Sequence, residues 1–414
     1  MYSDLLFYEA SDGVAEVYRT KHGSIDIDRH ETGWGNNWTH IVNGQFGLPG
    51  LCQLIFYDAV SGTIRIESVV TTPNNVGGET LVKEITNWRP GWTHVVAVSF
   101  VEGAQQLFFC DADYLKKGLG VCELYNVSSS SPWLSLARQY PNMGSGVTQV
   151  VPGRFSSKFA SGLAFYYAFN GTGVFYEADQ DTLYFVNGFG ELPATVKQVV
   201  PGNFSGGQQT DLLFYDPVGK VGYFYSVDNG GVIHILEANT GWQSDWNLIV
   251  PGNFSDGTET DLLFYSQARG VGQFYRTNHG AIAQIGLYTD WRHTWAHILA
   301  GTFAPAVITT QPPPPAIVIP SIVLSDPMLG FYSLKLTGSG FEANETVSLT
   351  LTWQDQNQAP QSIIYTTQAD GSGGFVYTYD GSGGGVCIPF RRWTVVGTGK
   401  TSHRQSSPVS AGCP

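Results

Sequence analysis

Charge is scarce in this sequence: Asp, Glu, Lys and Arg together make up 13% of its 414 residues. Lys and Arg number 21 against 34 Asp and Glu, a formal charge of −13. A chain so poor in cations lacks the Lys/Arg surface that phosphate backbones require, which excludes nucleic acid as the partner. Long apolar runs are also missing. None approaches the roughly 20 residues of a membrane-spanning helix, and no segment keeps a helical period. The five cysteines, Cys52, Cys110, Cys122, Cys387 and Cys413, form no pair with zinc spacing, so a structural metal is not expected. Catalytic signatures are absent too: there is no G-x-S-x-G elbow, H-E-x-x-H, P-loop or dinucleotide fingerprint.

What the chain does have is glycine (50), phenylalanine (24), tyrosine (21) and tryptophan (11). Aromatics suit half-buried pleats and glycine suits tight turns, so the composition reads as all-β. A strand motif recurs roughly every 50 residues, the signature of a repeat architecture. It appears as DLLFY (4–8), QLIFY (53–57), QLFFC (106–110), GLAFY (162–166), DLLFY (211–215) and DLLFY (261–265). Five copies place a tyrosine in the next segment: Tyr18, Tyr125, Tyr176, Tyr225 and Tyr275. Two further short segments complete each unit, giving four strands joined by Gly/Asn/Asp turns. Radial repetition of four-stranded units makes a β-propeller. The expected architecture is a six-bladed β-propeller over 1–306, closed by pairing its first and last strands. A Pro-rich spacer at 307–320 follows, then an immunoglobulin-like β-sandwich at 321–414.

The turn before the repeated strand, PGNFSDGTETDLLFY in the sixth copy, resembles the loop of FG-GAP and related VCBS-type propeller repeats. In that family, acidic or amide side chains at positions 1, 3, 5 and 9 bind calcium. The matching residues here are Asn253, Ser255, Gly257 and Asp261 in the sixth copy, and Asn203, Ser205, Gly207 and Asp211 in the fifth. Position 5 has lost its carboxylate, and calcium wants six to eight oxygens, several anionic. The expectation is a calcium-type loop without calcium, in which Asp261 accepts hydrogen bonds from its own turn. No cofactor is expected.

Four copies carry a Trp pair: Trp34/Trp38, Trp88/Trp92, Trp242/Trp246 and Trp291/Trp295. Met143/Val147 and Leu192/Val196 fill the same places elsewhere, so the second Trp reads as core. Three histidines, His40, His94 and His297, follow the second Trp and read as exposed positions on an edge strand. Copies one, five and six share a polar hairpin, VYRTKHG, FYSVDNG and FYRTNHG. With the first Trp of its own copy, each hairpin offers stacking and directional hydrogen bonds to a hydroxyl-rich ligand. The expected sites are Tyr18, Arg19, His22 and Trp34; Tyr275, Arg276, His279 and Trp291; and, more weakly, Tyr225, Asp228 and Trp242. Copies two to four are expected to be silent.

Carbohydrate binding, multivalent by repetition, is therefore the leading expectation, with glycans or glycoproteins as partners. A structural or adhesion module is the alternative. A hydrolase or lyase with axial carboxylates, drawn from Asp111, Asp113, Asp179 and Asp181, is a third. Cys110–Cys122 and Cys387–Cys413 are the expected disulfides, with Cys52 a free thiol. A secreted or cell-surface location is expected, although MYSDLLFYEA opens directly in a strand and lacks the pattern of a signal peptide. The chain is exported another way, has lost a leader, or stays inside.

Overall fold

A computed structural model describes all residues except 1, 72–76, 102–104, 113–119, 305–315, 327–330, 356–358, 380–391, 402–404, 407, 413 and 414. The chain divides into two compact units, Met1–Ala306 and Val307–Pro414.

The first unit is all-β and built from repeated four-stranded antiparallel sheets, six among the described residues. We number them I to VI. Sheet I pairs Trp295–Gly301 with Asp4–Glu9, then adds Val14–Lys21 and Ser24–Glu31. Sheet VI runs Leu248–Gly252, Asp261–Ser266, Val271–Asn278 and Ala281–Tyr288, and sheets II to V follow the same order. The inner strand of each sheet neighbours the inner strands of the sheets before and after it. The series of six closes on itself, because Trp295–Gly301 lies beside both Leu248–Gly252 and His40–Gly44. The arrangement is propeller-like, and the last strand completes the first sheet through the register Leu5↔Ala300 and Phe7↔Ile298.

The repeated motif supplies the second strand of every sheet. It is buried on both faces, as in the fully buried Asp261–Ser266, which is why it reads as an unbroken apolar run rather than an alternation. Outer strands such as Ile233–Thr240 have no fully buried position. Neighbouring sheets meet through aromatic layers: Phe214, Phe224, Trp242, Trp246 and Phe264 lie in or between sheets V and VI.

A girdle of side chains ties the inner strands together. The His40 Nε2–H donates to the Thr93 carbonyl at 3.0 Å and His94 to that of Thr148 at 2.9 Å. Gln149 and Gln198 do the same to Lys197 and Asn247, at 2.9 and 2.8 Å. His297 meets the Trp38 backbone. The three histidines are thus not exposed edge residues, as their sequence position suggested. Each sits half-buried on an inner strand and bonds the next repeat, so burial lowers all three pKa values, that of His297 to about 4.

The second unit holds a three-stranded sheet, Ala316–Asp326, Phe331–Ser339 and Phe375–Tyr379. A four-stranded sheet accompanies it: Gln361–Gln368, Thr346–Gln354, Arg392–Gly399 and Val409–Gly412. Leu334, Leu336 and Phe375 of the first share one core with Val347, Leu349, Leu351, Trp393 and Val395 of the second. The first strand begins at Ala316, within the span read from sequence as spacer.

Cys110 and Cys122 are disulfide-bonded across the strand pair that aligns them as Cα partners. Cys52 is a buried free thiol. Cys387 and Cys413 lie outside the described residues.

Candidate functional site

All six sheets carry a β-bulge at one place, between the third and outer strands. It falls at Val17/Tyr18, Ile66/Glu67, Leu124/Tyr125, Phe175/Tyr176, Phe224/Tyr225 and Phe274/Tyr275. Bulges bend the strand that carries the extra residue and are frequent beside binding sites. Here the extra residue lies on the outer strand (Asp28, Val82, Ala137, Val186, Leu236 and Ile285), and the unbroken third strand places the repeated tyrosine, or Glu67 in sheet II, at the shift. Opposite it on the outer strand stands a large exposed apolar residue in five sheets: Ile27, Leu81, Leu136, Phe185 and Ile235.

The Trp pair arrives from the loop that enters each inner strand. Its second member is sealed in every case: Trp38, Trp92, Trp246 and Trp295 are at most 6% exposed. The first member wedges between two sheets. Glycine makes room for it, since a Cβ on Gly222 or Gly272 would lie 2.1 or 2.2 Å from the ring of Trp242 or Trp291.

Two open cavities result. One, of about 220 Å³, is lined by Gly241, Trp242, Gln243, Trp246, Phe264, Gln273, Tyr275 and Ile282. The other, of about 150 Å³, is lined by Phe7, Glu16, Tyr18, Asp290, Trp291, Arg292 and Trp295. The tyrosine hydroxyl is held the same way in both: Tyr18 donates to Glu16 Oε2 at 2.6 Å and Tyr275 to Gln273 Oε1 at 2.7 Å. Burial, with the Glu16 bond added, raises the Tyr18 pKa, and burial raises that of Tyr275. Both phenols therefore stay protonated, with oxygen lone pairs able to accept. A guanidinium covers the second tryptophan from outside, Arg292 over Trp295 at 5.2 Å and Arg269 over Trp246 at 4.5 Å. Sheet III has the same set, with Arg89 over Trp92 at 3.9 Å and Tyr125 donating to Glu123 at 2.5 Å. There the Trp88 ring meets Tyr125 edge-on at 5.1 Å, and Tyr125 is buried.

The residues grouped by the sequence reading are only partly together. Tyr18 shares its cavity with Trp291, and Tyr275 shares its own with Trp242. Trp34 is 5% exposed and packs on Tyr8 and Phe56, with Glu67, not a tyrosine, at the matching bulge. Tyr225 packs on Phe214. Most of the polar hairpin residues are engaged by acids of the protein itself, on their own sheet or on a neighbouring loop. Arg19 pairs with Asp28 at 2.7 Å, while His22 reaches Asp256 at 3.2 Å and Tyr2 at 3.0 Å. Asp228 receives the N–H groups of Gly230 and Val232 and pairs with His234. His279 pairs with Glu259 at 3.0 Å, and Arg276 lies exposed beside Gly257. The residues missed from sequence, Glu16 and Gln273, stand two before the tyrosine and thus on its face of the strand.

The calcium-type loops are held by their last residue. Asp261 Oδ2 accepts from the N–H groups of Phe254 and Ser255 at 2.7 and 2.5 Å, and its Oδ1 accepts from Ser255 Oγ at 3.0 Å. Asp211 binds Phe204, Ser205 and Val227 alike, and Asp4 binds Phe303 and Ala304. Where the second copy has Gln53, its amide spans Phe46 and Leu48. Where the fourth has Gly162, the buried Glu177 on the paired strand accepts from Ser156 instead. Among the described residues no group of three His, Cys, Asp or Glu is placed to hold a metal. The candidate axial carboxylates do not converge on the inner strands. Asp111 pairs with Arg89 at 2.6 Å, Asp179 and Asp181 sit at an outer hairpin, and Asp113 lies outside the described residues. Among the described residues no helix is long and apolar enough to cross a membrane.

No protein-family model and no curated protein matches the chain. Among solved structures it is similar to a protein from Lactobacillus plantarum, at 13% identity over 83% of this chain and 93% of that one, with a TM-score of 0.45. It is similar to Sqt1 from Chaetomium thermophilum, at 13% identity over 99% and 92%, with a TM-score of 0.39. A third is exo-β-1,3-galactanase from Phanerochaete chrysosporium with galactose, at 8% identity over 82% and 92%, with a TM-score of 0.36. At these scores the similarities do not bear on function.

Proposed function

We propose that this chain is a carbohydrate-binding, lectin-like protein: a six-bladed β-propeller, extracellular, with an accessory immunoglobulin-like domain. The observation that carries the proposal is the repeated cavity between sheets. Each of the two open cavities combines a tryptophan wall, a tyrosine oxygen and a side chain fixed to that tyrosine. Aromatic faces suit the C–H face of a sugar ring, and a few placed polar groups suit its hydroxyls. Both cavities fall short of the 300 Å³ or so at which drug-sized sites begin, a scale that fits a single ring. The closed ring of six inner strands supports the blade count, and two sheets over one core support the immunoglobulin-like reading. The disulfide fits an oxidising compartment. Two sites on one rigid unit give avidity to weak single contacts.

A glycan array with the full chain tests this, alongside a variant in which Glu16 and Gln273 are both alanine. Binding of a defined glycan set by the wild type, lost by at least tenfold in the variant with its melting intact, is the expected result. A wild type that binds no glycan ends the reading, and a variant that binds as well as wild type moves the site elsewhere.

A further inference from the structure

The two cavities share aromatics but not charge. That of sheet VI is lined by amides, Gln243 and Gln273, and by no ionised side chain. The nearby Arg269 is held by Asp245 through two bonds, at 2.6 and 3.0 Å. With Oε1 accepting from Tyr275, Gln273 keeps its N–H₂ donors for a ligand. The cavity of sheet I is lined by Glu16, Asp290 and Arg292. Arg292 is already neutralised several times over, by Glu9 at 2.9 Å, Asp12 at 3.5 Å and Glu16 at 3.5 Å. Glu16 also faces Tyr18 and, at 3.3 Å, His30. Four carboxylates thus surround one guanidinium and one histidine. An ionised Glu16 can only accept hydrogen bonds, so it takes a sugar hydroxyl and repels a sugar carboxylate across a half-desolvated space.

Resting on the carbohydrate reading, we propose that Glu16 and Gln273 are specificity-determining residues. The Gln273 cavity admits neutral and acidic sugars, and the Glu16 cavity admits neutral sugars and excludes uronic acids. One chain then presents two sites that differ in the sugars they accept.

Calorimetric titration of the full chain tests the assignment, with methyl glycosides of glucose, galactose and mannose set against the matching methyl uronates. The neutral member of a recognised pair saturates at two per chain and its uronate at one. Gln273→Glu abolishes uronate binding, and Glu16→Gln raises uronate saturation to two. The wild-type ratio needs no variant, so misfolding of either substitution leaves the question answerable. Equal saturation by both members in wild type, or uronate binding unmoved by Gln273→Glu, overturns the assignment while leaving the carbohydrate reading standing. Failure of every sugar to bind wild type removes both.

Discussion

Tyr18 and Trp291 come from opposite ends of the repeat array, yet they line one cavity and both meet Phe7 edge-on, at 5.3 and 5.0 Å. The closing strand brings them together. Trp291 lies in the loop that enters it, and the strand, beginning at Trp295, pairs with Asp4–Glu9.

Trp34 has no such partner. It packs on Tyr8 and Phe56 much as Trp242 packs on Tyr215 and Phe264, but Glu67 stands where its sheet would offer a tyrosine, and it lines neither cavity. Trp34→Ala should cost about 3–5 kcal/mol of unfolding free energy, as large-to-small core changes do, without altering sugar affinity in the protein that remains folded. Denaturant melts and a glycan titration on the same sample check both parts.

The repeat, its strands and the burial of the second tryptophans were legible in the sequence because each recurs with the same spacing. The grouping of the site was not. The repeat as read begins at DLLFY, which is the second strand of a sheet, so each tryptophan pair was assigned to the copy it ends. In space Trp242 serves the sheet that Leu248–Gly252 opens, and Tyr275 is the tyrosine of that sheet. The bulge opposite Tyr275, at Ile285, leaves no composition signal, and neither does the pairing of His22 or His279 with acids on a neighbouring loop. Glu16, Glu123 and Gln273 were visible only as polar residues two before the tyrosine.

Asp261 accepts two buried backbone N–H groups, each worth about 1–3 kcal/mol if left unmade. Asp261→Ala should therefore destabilise strongly and Asp261→Asn less. Melting should be the same in millimolar calcium and in chelator. A drop of several degrees in chelator, restored by calcium alone, would show a working metal site.

The histidine girdle sets an acid response. Burial holds His40, His94 and His297 below the unfolded value of about 6.5, with His297 near 4. Their contribution is intact above pH 6.5 and declines as pH falls toward 4, because the unfolded chain gains the protons first. Asp4, Glu67 and Asp261, raised by burial, act in the opposite direction. The informative comparison is thus wild type against His40→Gln/His94→Gln/His297→Gln, the residue that the fourth and fifth sheets already use. Urea melts from pH 7 to 4.5 should show a shallower loss in the variant.

Reducing the Cys110–Cys122 bond, which closes a separation of 12 residues, should cost about 2–4 kcal/mol. Cys52, with its pKa pushed by burial to about 12, should resist alkylation until the chain unfolds. Non-reducing peptide mapping after native labelling reads both.

The most direct measurement is a crystal structure of the chain soaked with the best glycan from the array. Sugar rings should lie against Trp242 with Tyr275 and against Trp291 with Tyr18, and none should lie at Trp34. Density along the inner strands or on the second unit instead, with both cavities empty, would contradict the account.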